Sequence, residues 1–215
     1  NARAAQAFKA AGDLRRAARN TEVAGANKEA ATIYESLGDY EKAAPIFEAE
    51  GEFVRAAECF SRIGQITRAA KLFEQGNQAA SAAALYEKSG QCNRAAVLYK
   101  AAGDIPSAIR ACQAHLAAHP EAAELHLELG LLLQSQGEHD RAIESLQQAT
   151  RNPDHARAAL MRLAESFIAK GLYDIALGRY RACLGGRSDV AWDNLDIHYG
   201  MARTLQLAGN YAEAR

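Results

Sequence analysis

The side chains best equipped for chemistry in this sequence are His115 and His119, two imidazoles four positions apart, with Glu121 and His126 close behind. On a helix that spacing puts both rings on one face, as two ligands of a zinc ion require. A local reading competes and is preferred: His119 stands beside Pro120 at a helix end, where an imidazole suits the negative end of the helix dipole. No metal or other cofactor is expected. The four cysteines, Cys59, Cys92, Cys112 and Cys183, are irregularly spaced without a Cys-x-x-Cys pair, and three of them fall where neighbouring units carry an apolar residue or alanine. They read as small, reduced core residues, which points to the cytoplasm. No nucleophile elbow, phosphate-cradling glycine loop, His-Glu-x-x-His helix or dinucleotide fingerprint occurs, and Gly185-Gly186 reads as a turn. No catalytic residue is expected, and the chain is not read as an enzyme.

Charge narrows the partners. Lysine plus arginine number 25 against 26 for aspartate plus glutamate, so neither nucleic acid nor an anionic membrane is an expected partner. No apolar run approaches the roughly 18 to 20 residues that span a bilayer, and no basic, hydrophobic leader opens the chain. It begins at Asn1 without a methionine and stops at Arg215 as a helical pattern starts, and so reads as an excerpt of a longer protein.

Any functional side chain here must be held by a repeat, because glycines recur every thirteen residues at Gly12, Gly25, Gly38, Gly51, Gly64, Gly90 and Gly103. The missing beat falls on Asn77, which also tolerates a left-handed backbone. The sixth and seventh places of the unit are alanine from Ala17-Ala18 to Ala95-Ala96, and an aromatic follows three places later at Tyr34, Phe47, Phe60, Phe73, Tyr86 and Tyr99. With an apolar third place, as at Leu14, Phe53 and Ile66, the spacing is that of an amphipathic helix. Each unit therefore predicts one helix of about ten residues, closed by a glycine of positive φ and stabilised by its neighbours. The alanine pairs are expected at close helix contacts, with the aromatics filling the space beside them. An acid in the second place and a base in the fifth, as in Asp13 and Arg16, Asp39 and Lys42, Glu52 and Arg55, predict pairs three residues apart. Arg68 and Arg94 follow glutamines and lack that partner. Pro45 falls inside a predicted helix and is expected to kink it.

From about Gln91 the interval lengthens to 34: Ala96, Gly130 and Ala164 are small, Tyr99, Leu133 and Phe167 bulky, and Gly103, Gly137 and Gly171 turns. These residues, with Leu129, Ala142 and Ala149, then Leu163, Tyr173, Ala176 and Tyr180, then Ala202, Leu205, Gly209, Tyr211 and Ala214, resemble the tetratricopeptide repeat family. Pro120 and Pro153 stand near where that family closes a repeat, and four extra residues lie around Gly185-Gly186-Arg187-Ser188. Residues 1–88 look more like the short-helix α-solenoids of vesicle-coat and ciliary-transport proteins.

The resemblance implies an all-α, right-handed α-solenoid of antiparallel helix hairpins, with about fourteen helices. Residues 1–118 would carry the short units and 119–215 the tetratricopeptide repeats, in one continuous solenoid. It also implies a non-catalytic scaffold or adaptor that binds a partner protein or peptide along the inner face of the first helix of each repeat. That face would present Leu127, Leu131, Met161, Arg162, Glu165, Tyr199, Arg203 and Gln206, suited to a peptide or amphipathic helix with apolar anchors. Trp192 is expected to cap or fill the core, with a partner contact as the alternative. Two other readings stay open: a regulatory or sensory arm of a larger enzyme or transcription regulator, and a self-assembling structural solenoid.

Overall fold

The computed structural model describes residues 2–185 and 194–209. Trp192, the Gly186-Arg187-Ser188 segment, Tyr211 and Ala214 lie outside the described residues. Every element among the described residues is helical. α1 (Ala2–Ala10), α2 (Leu14–Val23), α3 (Asn27–Ser36), α4 (Tyr40–Ala49), α5 (Phe53–Arg62), α6 (Ile66–Gln75), α7 (Ala79–Lys88) and α8 (Cys92–Ala101) form a compact unit that ends at Asp104. α9 (Ile105–Ala118), α10 (Ala123–Ser135), α11 (His139–Ala149), α12 (Pro153–Ala169), α13 (Tyr173–Leu184) and α14 (Leu195–Leu207) form a second, from Ile105. Within each unit every helix packs on the helices before and after it, the pattern of an α-solenoid built from consecutive hairpins.

In the first unit the thirteen-residue interval becomes one helix and one turn. The turn glycines have φ between +74° and +81°, and Asn77 takes the same region at +56°. Nothing lies within 4 Å of where a Cβ would stand on Gly38 or Gly64, so the backbone dihedral, not space, selects glycine there. The residue after the glycine donates its N–H to the aromatic's carbonyl five places back, as Asp39 does to Tyr34 (2.9 Å) and Gln65 to Phe60 (2.9 Å). That bond satisfies a carbonyl left over at the helix end. The alanine pairs are buried throughout: Ala43, Ala56, Ala69 and Ala82 expose no surface, and Phe47 and Tyr86 beside them expose none either.

The charges are arranged over longer range than the sequence reading expected. Asp13 pairs with Arg16 (3.3 Å) and Asp39 with Lys42 (2.6 Å) as anticipated. Glu52, however, takes Lys28 from α3 (2.8 Å), which holds its carboxyl below the usual carboxylate range, and Arg55 pairs with Glu35. Nor do Arg68 and Arg94 stand alone. They reach Glu48 (2.6 Å) and Glu74 (2.9 Å), twenty residues earlier and two helices back. Each of these arginines also lies over the ring eight residues earlier: Arg55 is 4.1 Å from Phe47, Arg68 4.1 Å from Phe60 and Arg94 4.5 Å from Tyr86. The result is a ladder of base, ring and acid linking α3 to α5, α4 to α6 and α6 to α8. Half-exposed ion pairs contribute about 0.2–1 kcal/mol and cation–π contacts about 0.5–1 kcal/mol, so the ladder adds little beside the burial of the aromatic and aliphatic side chains that the alanine pairs let pack closely.

α4 runs from Tyr40 to Ala49 with Pro45 inside it. Pro45 cannot donate to the Glu41 carbonyl, but it is exposed, and burial of Ala44 and Phe47 on the other side keeps the helix its full length. Cys59 and Cys112 are buried as expected, whereas Cys92 and Cys183 are half-buried at helix ends and do not belong to the core. Burial pushes the Cys59 and Cys183 thiols up to about 11, so neither is a reactive thiolate.

Candidate protein-binding face

In the second unit α10 is fixed by its small residue. A Cβ on Gly130 would stand 2.5 Å from the Leu146 side chain, so α10 and α11 meet backbone to side chain. Leu129, Leu132 and Leu133 on the same helix are buried. Leu127 and Leu131, one turn apart on the other side of the helix, are left half-buried. α12 repeats the arrangement with Leu163, Ala164 and Phe167 inside, Met161 half-buried, and Arg162 and Glu165 exposed and paired at 2.9 Å. α10 and α12 pack side by side, tied by Gln134, whose Nε2 donates to the Arg162 carbonyl (2.6 Å) and the Ser166 hydroxyl (2.7 Å).

α14 packs chiefly on α13, where a Cβ on Gly200 would fall 2.6 Å from the Tyr180 ring. Ile197 and Thr204 are fully buried, while Tyr199 is 72% exposed and Arg203 and Gln206 are exposed beside it in helical register. Tyr180 links the two groups. Burial first and Glu165 second raise its phenol above the ordinary value, opposed by Arg203 and Arg162. The charged residues expected on α12 and α14 thus influence the same buried phenol. Of the eight sequence-selected residues, Leu127, Leu131 and Met161 are half-buried and the other five exposed.

The histidines serve the turn between α9 and α10. His115 and His119 have ring centroids 4.7 Å apart, and His119 Nδ1 is 3.8 Å from Glu121. His126 is engaged elsewhere: Nε2 lies 3.0 Å from the Pro120 carbonyl and Nδ1 3.3 Å from the Ser145 hydroxyl. Among the described residues no three His, Cys, Asp or Glu side chains converge as metal ligands. Nor is any helix among them long and apolar enough to cross a membrane.

A second concavity had no signal in the sequence. α9 and α11 part above α10 to leave a groove of about 420 Å³, floored by Leu116, Leu129 and Leu133 and rimmed by Arg141, Glu144 and Gln148. It arises from the spacing of helices distant in the chain, which no local periodicity encodes.

A family model of the tetratricopeptide repeat matches residues 93–156 and 127–190, and a second tetratricopeptide repeat model matches 29–49, together more than half of the chain. No curated protein matches the sequence. Among solved structures, the nearly identical TPR-like repeats of a Podosopora anserina putative kinesin light chain are 20% identical with a TM-score of 0.52, covering 78% of this chain and 89% of that one. YrrB, described as a TPR protein with an unusual peptide-binding site, is 21% identical with a TM-score of 0.51, covering 81% and 86%. A mutant of MamA is 18% identical with a TM-score of 0.51, covering 76% and 85%. At these identities the likeness is one of fold.

Proposed function

The chain belongs to the tetratricopeptide repeat family, and on that premise we propose that it is a non-catalytic scaffold whose second unit holds a peptide or helix of a partner protein along α10, α12 and α14. One observation carries this reading. Tyr199 is 72% exposed, and Leu127, Leu131 and Met161 are half-exposed, on helix sides turned away from the buried seams. Large apolar groups left partly to water on three alternate helices are typical of a surface that awaits a partner. Arg162, Glu165 and Arg203 around them would orient the ligand, with the apolar anchors supplying affinity.

The test has two steps: affinity capture of the partner with this chain and its identification by mass spectrometry, then titration against variants. Leu131→Glu and Tyr199→Ala should each weaken binding by about 1–2 kcal/mol or more while leaving helicity and melting temperature nearly unchanged. Unaltered affinity in both would overturn the site. Loss of folding in both would make these residues packing residues instead.

A further inference from the structure

The first unit carries a small basic notch, well away in the chain from the face just described. It encloses about 210 Å³ and is lined by Arg15 and Arg19 of α2, Tyr34 of α3, and Asp39 and Lys42 at the start of α4. Arg15 and Arg19 are four residues apart on one side of α2, and among the described residues neither has a carboxylate at ion-pair distance. Their neighbour Arg16, by contrast, is paired with Asp13 and lies over the Phe8 ring, and the ladder arginines are all paired. Lys42 uses one bond on Asp39 (2.6 Å) and sits 5.3 Å from the centre of the Tyr34 ring, leaving donors free. Tyr34 itself points its hydroxyl at Glu22 (3.0 Å) and closes the back of the notch. The lining therefore sets three cations against Asp39 alone, with Glu22 behind the tyrosine reducing that surplus without cancelling it.

We propose that this notch is a docking site for a phosphorylated side chain on a partner peptide. Two guanidinium forks on one helix and an ammonium at the start of another supply donors from two sides of the notch. A tetrahedral phosphoryl group offers three terminal oxygens to such a set, whereas a carboxylate offers two in one plane. The space admits one such group and falls below the roughly 300 Å³ at which pockets for free small molecules begin, so the phosphoryl group arrives on a chain that stays outside. The site is independent of the apolar face on α10, α12 and α14, and either could exist without the other.

The test is NMR on the full chain, following the arginine side-chain Nε–H signals during titration with N-acetyl-O-phosphoserine amide, inorganic phosphate and N-acetyl-aspartate amide. The Arg15 and Arg19 signals should shift saturably with the phosphoserine compound, at least about tenfold more tightly than with the aspartate compound or inorganic phosphate. The double variant Arg15→Gln/Arg19→Gln should lose that response at an unchanged melting temperature. A charge-matched control, Arg3→Gln/Lys88→Gln, should keep it. Equal binding of the aspartate compound would make this a carboxylate site, and tighter binding of inorganic phosphate would make it a free-anion site. Either result overturns the proposal, as does the absence of any saturable shift.

Discussion

Replacing Ala69 by leucine tests the packing logic at its most constrained point. Ala69 and Ala70 on α6 expose no surface, and Phe73 on the same helix is also buried. In water-facing space the added carbon atoms would be harmless, and in a cavity they would gain about 0.8 kcal/mol for each methylene buried. With neither space nor an outward path, they must displace a neighbouring helix or adopt a poor rotamer, at a cost of about 1–3 kcal/mol. Ala84 on α7 is the control. It is exposed, and alanine and leucine have similar helix propensity, so Ala84→Leu should stay within about 0.5 kcal/mol of the parent. Thermal unfolding followed by circular dichroism separates the two. For a unit of roughly 100 residues each kcal/mol moves the midpoint by about 4–8 °C, so Ala69→Leu should melt at least about 4 °C below the parent and at least about 2 °C below Ala84→Leu. Coincident curves would refute the assignment of the alanine pairs to close helix contacts.

Pro45→Ala should stabilise the chain by about 2 kcal/mol, because the helix hydrogen bond it restores outweighs the unfolded-state entropy that proline removes; an unchanged or lower denaturant midpoint would contradict this. A double-mutant cycle of Glu48→Ala and Arg68→Ala should yield a coupling of about 0.5–1 kcal/mol that shrinks in 1 M salt, and zero coupling at low salt would dissolve the ladder as an energetic feature. Burial, then Glu74, pushes the Tyr86 hydroxyl up to about 12 from an ordinary 10. A raised phenol favours the folded, protonated form, so its stabilisation is complete below pH 10 and is lost as pH rises through 12. Denaturant midpoints should fall over that window in the parent and less in Tyr86→Phe; equal slopes would place Tyr86 in solvent.

How much of this was legible in the sequence depended on how local the cause was. The turn at Asn77, the buried alanine pairs and the single-helix unit all follow from steric rules acting within a few residues, and the interval of thirteen exposes them directly. The partners of Arg68 and Arg94 were sought three residues away because that is the neighbour on a helix surface. Their carboxylates sit twenty residues away, since stacking brings α4 near α6 and α6 near α8, within reach of a long arginine side chain. A recurrent acid in the eleventh place of the unit, at Glu35, Glu48 and Glu74, was the available sign. Pro45 is expected inside a helix and stands inside α4, whose length of ten residues is held by burial of Ala44 and Phe47. Cys183 looked like a core residue by analogy of position but lies in the last turn of its helix, where the packing seam has ended. The half-exposed state of Leu127, Leu131 and Met161 depends on which side of each helix the neighbouring repeat covers. The groove between α9 and α11 depends on the angle at which helices part. Neither quantity is written in a periodicity.

Site-specific photocrosslinking in living cells is the most direct measurement of whether the α10, α12 and α14 face binds a partner. Benzoylphenylalanine would replace Leu131 or Tyr199 in turn, and Gln147, exposed on α11, as the control. Adducts to one and the same protein from Leu131 and Tyr199, with none from Gln147, are the expected outcome. Adducts from Gln147 alone would contradict the account.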